Sequence, residues 1–479
     1  MNFGRTSLSA ILAVSLAACG GGGGTQSGGG PIAGGGGSGG TPTPSQCSLR
    51  DRQDWSLAVM DEWYLFPDLV DQTVNPDSFS SVQSYLDALV APARAQGIDR
   101  GFTFITSIEE ENALINSGAS AGFGIRLGYD TVNDRVFVLE AYENAPGLGA
   151  GIDRGTELLA IGTTSSNLQS VSSLMASGGP QAVINALGPS DPGVSRVIRF
   201  RTASNVTTEA SITKTDFALD PVSDRYGVQI INDGGKKVGY LNLRTFIVGS
   251  AEQDLRDAYQ LFQDEGVTEL IIDFRYNGGG LVRIGDLMGD LMNAGRAGQI
   301  WSKTILRESK SAENETTNIA SQPQAIAPTK VAFIGRGGTA SASELVINSM
   351  LPYLGNNVAL IGTNTFGKPV GQFGFDRSEC DDRLRAVTFK TVNADDEGEH
   401  FTGLAGVVPN TCRASDDIFT QLGDPSEASI ATALDFLAGR SCTAISAEGL
   451  RTTQATGARQ RLLQPDRPNA AQYQIPGLF

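Results

Sequence analysis

Apolar residues change their spacing along this chain, and each change marks a different kind of element. After Arg5 comes a charge-free apolar run, Leu8 to Ala18, too short to span a bilayer as a helix. Residues 20–46 are mostly Gly with Ser, Thr and Pro and carry no charge, the composition of a flexible tether. From Cys47 to about residue 118, Trp55, Val59, Trp63 and Phe66 recur at three- and four-residue steps. Val82, Leu86, Leu89 and Val90 form a second stripe, so two or three amphipathic helices are predicted here. Between 119 and 215 alternation takes over: Gly122-Phe123-Gly124-Ile125 enters a strand through Leu127, with further strands at Arg135–Leu139 and Glu157–Ile161. From 216 to 442, strands at Val238–Leu243, Glu269–Phe274, Lys330–Ile334 and Val358–Ile361 alternate with helical stretches near 251–265, 282–294, 342–351 and 426–438. This pattern predicts an α/β core. Residues 443–479 are polar and irregular and read as a loose tail.

Composition narrows the partners. The 479 residues carry 36 Lys and Arg against 52 Asp and Glu, a net charge of −16. Nucleic acid and anionic lipid surfaces reward basic clusters and are disfavoured. His400 is the single histidine, which argues against His-rich metal sites and leaves any Ser-His-Asp scheme dependent on one residue. No metal or organic cofactor is expected. Besides Cys19 there are four cysteines, an even set that reads as two disulfides in an exported protein and allows three pairings. Cys47 opens the folded part and Cys442 nearly closes it, so the expectation is Cys47–Cys442 with Cys380–Cys412.

Three segments carry chemistry. Thr339-Ala340-Ser341-Ala342-Ser343-Glu344 stands between a strand and an apolar helix, so the Ser341 hydroxyl projects above the sheet with a helix N-terminus behind it. Ser341-x-x-Glu344 is equally a capping box, which needs no catalysis. In Thr365-Phe366-Gly367-Lys368-Pro369-Val370-Gly371-Gln372, a lysine among apolar neighbours is a candidate for desolvation and so for a neutral amine. One helix and one strand separate Ser341 from Lys368, which returns the chain to the same edge of the sheet. Asp273-Phe274-Arg275-Tyr276-Asn277-Gly278-Gly279-Gly280 is a glycine turn that lets backbone N–H groups approach a ligand. Two other matches fail on context. Gly118-Ala119-Ser120-Ala121-Gly122 has a helix before it and a strand after, the reverse of a nucleophile elbow. Gly335-x-Gly337-x-x-Ala340 lacks the acidic residue a dinucleotide site needs about twenty residues on.

Leu16-Ala17-Ala18-Cys19 resembles a bacterial lipobox, which implies a signal peptide over 1–19, lipidation of Cys19 and a tether over 20–46. Gly20 after the cysteine resembles outer-membrane sorting in Gram-negative lipoproteins, so the expected place is the cell envelope, facing the periplasm. The order of strands and glycine turns over 119–215 resembles a PDZ domain. That implies that Gly122, Phe123, Gly124 and Ile125 bind a polypeptide's C-terminal tail, added as a strand. Taken together, these features and the Ser341, Lys368 and glycine-loop motifs resemble the carboxyl-terminal processing (tail-specific) serine proteases over residues 50–440. The resemblance implies a crotonase- or ClpP-like core over 216–442, an N-terminal helical domain over 47–118 and a PDZ-like domain over 119–215. It also implies Ser341 as nucleophile, Lys368 as general base, Gln372 as the group orienting the lysine, and Ala342 and Gly279 as oxyanion donors. Tyr276 and Gly278 depart from the family pattern, as does Pro369 after the lysine. The expected function is a Ser-Lys endopeptidase cutting polypeptides near their C-termini; the alternative is a tethered peptide-binding module with an inactive core.

Overall fold

The computed structural model describes residues 47–130, 132–446 and 460–479; the expected signal, Cys19 and the tether lie outside the described residues. The apolar runs of the C-terminal half become adjacent strands of a six-stranded sheet. Its order is Val228–Asp233, Lys236–Asn242, Glu269–Asp273, Lys330–Gly335, Val358–Gly362 and Asn410–Arg413, an antiparallel hairpin followed by parallel pairs. Parallel strands are covered on both faces, which is why they read as unbroken apolar sequence. Leu241, Leu270, Ile272, Val331, Phe333 and Leu360 enter one apolar cluster, where residues of the helices Ala251–Asp264, Val282–Leu291 and Ala342–Leu354 pack. Tyr240, Ile271, Ala332, Ile334 and Ile361 enter the cluster on the opposite face, beneath the helix Ala428–Leu437.

A second sheet, which the sequence pattern did not single out, is built on the long strand Asp382–Val392. Val370–Arg377 pairs along one of its edges, and Phe104–Ser107 and Ile300–Leu306 pair on the other. The helices Leu49–Trp63 and Val82–Leu89 pack their apolar residues against it, through a cluster that includes Met60, Tyr64, Leu86, Leu384 and Val387. Trp55, Val59 and Phe66 are only partly buried at the margin of this cluster, whereas Met60 and Tyr64 fill its centre.

A third sheet holds Ile125–Asp130, Arg135–Ala141, Glu157–Gly162, Ser195–Arg201 and Thr207–Thr213, covered by Val171–Leu187. On the free edge of Ile125–Asp130 lie two stretches of the C-terminal segment. Gln460–Leu462 pairs antiparallel with Gly128–Asp130, and residues 477–479 follow beside Ile125–Leu127. The expected loose tail is therefore corrected for residues 460–479. Leu463, Ile475, Leu478 and Phe479 are each buried, and the ring of Tyr473 stacks on Phe104 at 4.0 Å.

The disulfides are also corrected: they join Cys47 to Cys380 and Cys412 to Cys442. Cys47 precedes the helix Leu49–Trp63, which runs over the second sheet. That places it beside the turn joining Val370–Arg377 to Asp382–Val392, with Cα atoms 5.5 Å apart. Cys442 follows the helix Ala428–Leu437, which returns it to the edge strand carrying Cys412, 5.4 Å away between Cα atoms. Among the described residues, no helix is long and apolar enough to cross a membrane.

Candidate active site

Three neighbouring parallel strands, Glu269–Asp273, Lys330–Gly335 and Val358–Gly362, end at the same edge of the sheet. The loops that leave them carry the glycine turn, Ser341 and Lys368. Side chains at such strand ends converge on one crevice. The first two loops are tied together: Ala340 N–H donates to Asn277 O at 3.1 Å, the Ser343 hydroxyl to the same oxygen at 3.1 Å, and the Thr339 hydroxyl to Phe274 O at 2.8 Å.

Ser341 is the N-cap of the helix Ala342–Leu354, with φ 55° and ψ −118°. A non-glycine residue at positive φ is strained by about 1–3 kcal/mol and persists only where its surroundings enforce it. Here Gly279, at φ 101°, packs so closely that a Cβ on it would lie 2.7 Å from Ser341 Cβ and 2.9 Å from Ala342 N. Ala342 therefore stands next to the glycine loop. In this conformation the N–H of Gly279 is engaged within its own loop. It donates to Asn277 Oδ1 at 2.9 Å, because the Asn277 side chain folds back over the loop while donating to Leu243 O.

Lys368 is partly buried. Its ammonium donates to Gln372 Oε1 at 2.7 Å, lies 5.0 Å from the centre of the Phe102 ring, and is not hydrogen-bonded to the Ser341 hydroxyl. Burial pushes its pKa down to about 8. Arg385 acts in the same direction, while the charges of Asp99 and Glu344 oppose it. Gln372 is itself fixed, since its amide donates to Phe102 O at 2.5 Å.

The residue that joins the two halves is Glu344, which sequence reasoning had read as a cap. Its fully buried carboxylate accepts from Ser341 N–H at 3.1 Å and Lys368 N–H at 2.7 Å on one oxygen. The other oxygen accepts from Gly367 N–H at 2.7 Å and the Thr365 hydroxyl at 2.5 Å. Arg100 was missed too: it donates to the carbonyls of Phe366 and Gly367 at 2.7 and 2.5 Å, holding the lysine loop from outside. His400, which the sequence sets in an acidic run, is buried, and loss of solvent lowers its imidazole pKa. The only short-range signal here is the capping box of Glu344; its bonds to the lysine loop, and those of Arg100 to Phe366 and Gly367, run to partners more than twenty positions away.

Gly122 ends a short strand, Ala119–Gly122, that pairs with Thr215–Ala218; Phe123 and Gly124 connect it to Ile125, the first residue of the edge strand of the third sheet. Phe123 and Ile125 are buried in its core, Gly124 adopts φ 66°, and a Cβ on Gly122 would lie 2.7 Å from the Phe479 carbonyl carbon. This sheet is joined to the glycine turn by Arg126, whose guanidinium donates to Tyr276 O at 3.0 Å. Among the described residues, no group of three or more His, Cys, Asp or Glu side chains is placed to hold a metal ion.

A strained serine over a parallel sheet, a glycine loop against it and a lysine of lowered pKa on the next loop thus meet at one edge of an α/β core. Comparison with known proteins gives the class. Residues 237–411 match the protein-family model described as Peptidase family S41, and residues 51–104 match the Peptidase S41 N-terminal domain. The chain is 24% identical to the carboxyl-terminal-processing protease of Picosynechococcus sp., over 71% of its own length and 76% of that protein. It is 23% identical to that of Synechocystis sp., over 71% and 74%. In fold it is similar to a Bacteroides fragilis protein assigned to the S41 proteases, with TM-score 0.61 and 22% identity over 80% of this chain and 97% of the other. These findings support a C-terminal processing protease: the chain matches two Peptidase S41 domain models and is similar to the carboxyl-terminal-processing proteases.

Proposed function

We propose that the protein is a Ser-Lys endopeptidase that cuts polypeptides near their C-termini. The observation that carries this reading is the shared Glu344 oxygen, which fixes the backbones of Ser341 and Lys368 side by side. Rotation of the lysine side chain exchanges Gln372 for the Ser341 hydroxyl. The neutral amine takes the hydroxyl proton while Oγ bonds to the scissile carbonyl carbon. The oxyanion receives Ala342 N–H, and also Gly279 N–H once its bond to Asn277 opens. Collapse breaks the C–N bond, and the lysine proton passes to the leaving amine. Water then attacks the acyl-serine with Lys368 again as base, releasing a carboxylate and restoring the hydroxyl.

Substrate tails dock on the PDZ-like domain along Ile125–Leu127 by strand addition. The protein works in the cell envelope, anchored through Cys19, and the two disulfides are in keeping with an oxidising compartment. Replacing Cys19 by serine is expected to move the protein from the membrane to the soluble fraction on cell fractionation.

The test is turnover of an unstructured polypeptide by the wild type, Ser341→Ala and Lys368→Arg. Both variants lose several orders of magnitude in kcat, because the pair acts as a unit and a guanidinium stays protonated. The engaged Gly279 N–H and the separated Ser341 and Lys368 side chains are what an inactive, peptide-binding chain would show. Failure of a serine-reactive fluorophosphonate to label the wild type, with no peptide cut, selects that second reading.

A further inference from the structure

The free edge of a sheet presents unpaired N–H and C=O groups, and the chain itself covers this one. Phe479 N–H donates to Ile125 O at 2.9 Å, Ile125 N–H to Phe479 O at 3.1 Å, and Leu127 N–H to Gly477 O at 2.8 Å. Residues 477–479 therefore form an added antiparallel strand whose last residue sits against the Gly122-Phe123-Gly124 loop. Side chains alternate along such a strand. Phe479, 2% exposed, enters the cluster of Phe123, Ile125, Val183, Ile184 and Leu187, between the strand and the helix Val171–Leu187. Leu478 points the other way, into the cluster of Tyr142, Phe217 and Ile475. On the Phe123 ring lies the Lys214 ammonium, 4.8 Å from its centre, which donates to the carbonyls of Gly188 and Pro189.

The preceding segment delivers this strand by a detour. Residues 460–463 pair with 127–130 on the same edge and leave it for the turn of helix Ala470–Gln474. The chain returns through hydrogen bonds within the segment, Gly477 N–H to Gln464 Oε1 at 3.0 Å and the Gln472 amide to Leu478 O at 2.9 Å. Residues 477–479 cover Ile125 and the N–H of Leu127, whereas the Leu127 carbonyl accepts from Leu463 N–H at 2.9 Å, so 477–479 can be exchanged without unpairing 460–463.

We propose that the groove along Ile125–Leu127 selects polypeptide tails with a bulky apolar residue where Phe479 now sits, and that residues 477–479 are its resident occupant, displaced when such a tail binds. This rests on the tail-docking reading above and gives it a substrate class. An intramolecular occupant lowers apparent affinity by the fraction of molecules in which the groove stands open.

The test uses the full chain with Ser341→Ala and a fluorescent octapeptide of the sequence of residues 472–479, followed by anisotropy. Adding Phe479→Ala to the chain is expected to tighten peptide binding at least about tenfold, as its own strand loses its anchor. A peptide ending in Asp instead of Phe is expected to bind at least about tenfold more weakly, since the apolar pocket offers a carboxylate no partner. Equal affinity with and without Phe479→Ala, or no preference for Phe over Asp, overturns the proposal. Should that variant not fold, amide hydrogen exchange on the Ser341→Ala chain decides. Saturating peptide accelerates exchange at Leu478 and Phe479 while Leu127 stays protected; unchanged exchange at 478–479 overturns the proposal. Turnover by the wild type is measured separately. Tail binding with no hydrolysis sinks the peptidase mechanism alone, and hydrolysis with no tail binding sinks the groove alone.

Discussion

Glu344→Gln separates a helix cap from a catalytic brace. Each carboxylate oxygen accepts from two donors, Ser341 and Lys368 N–H on one, Gly367 N–H and the Thr365 hydroxyl on the other. Glutamine has one acceptor oxygen and one donor nitrogen, so whichever way it turns, two buried donors face another donor. At about 1–3 kcal/mol for each buried donor left unmatched, the loss is about 2–6 kcal/mol. A lost cap alone costs about 1 kcal/mol. The variant also removes a negative charge that supports the ammonium of Lys368, so the lysine pKa falls further below about 8. The neutral amine is the reactive form, so the acid limb of kcat/KM against pH moves to lower pH. The plateau drops, because Ser341 and Lys368 are no longer held together. Urea unfolding and a pH profile on one peptide substrate measure both effects. A stability loss near 1 kcal/mol with an unmoved acid limb would refute the bracing role and leave Glu344 an ordinary cap.

Other substitutions test separate parts of the site. Gly279→Ala places a Cβ within 2.7 Å of Ser341 Cβ at a φ of 101°, and kcat/KM is expected to fall at least about a hundredfold. Ser341→Gly, inactive like Ser341→Ala, is expected to be the more stable of the two by about 1 kcal/mol in urea, since glycine accepts the positive φ without strain. A non-reducing peptide map is expected to show Cys47 linked to Cys380 and Cys412 to Cys442. Removing the first pair is expected to destabilise the chain more, by up to about 5 kcal/mol against about 3–4 for the second, because it closes the longer loop.

How much of this could be read from sequence follows from where each residue finds its partners. The parallel core was legible because strands such as Leu270-Ile271-Ile272 and Val331–Ile334 are buried on both faces. The second sheet was not. Arg383 and Arg385 break the apolar pattern of Asp382–Val392, and both are paired with Glu111, some 270 positions earlier. Ser341, Lys368 and Gln372 stood out through their motifs, whereas Glu344 matched a capping box and its bonds to the lysine loop left no local trace. The tail hid its buried residues singly among polar ones, and four cysteines admit three pairings until the fold chooses.

The most direct measurement is the rate at which Ser341 is acylated by an activated ester in single turnovers between pH 6 and 10. Loss of solvent around Lys368 predicts a rate that rises with pH to a half-maximum near the lysine pKa of about 8, and that collapses across the whole range in Lys368→Arg. A rate independent of pH, or one that Lys368→Arg leaves intact, would contradict the account.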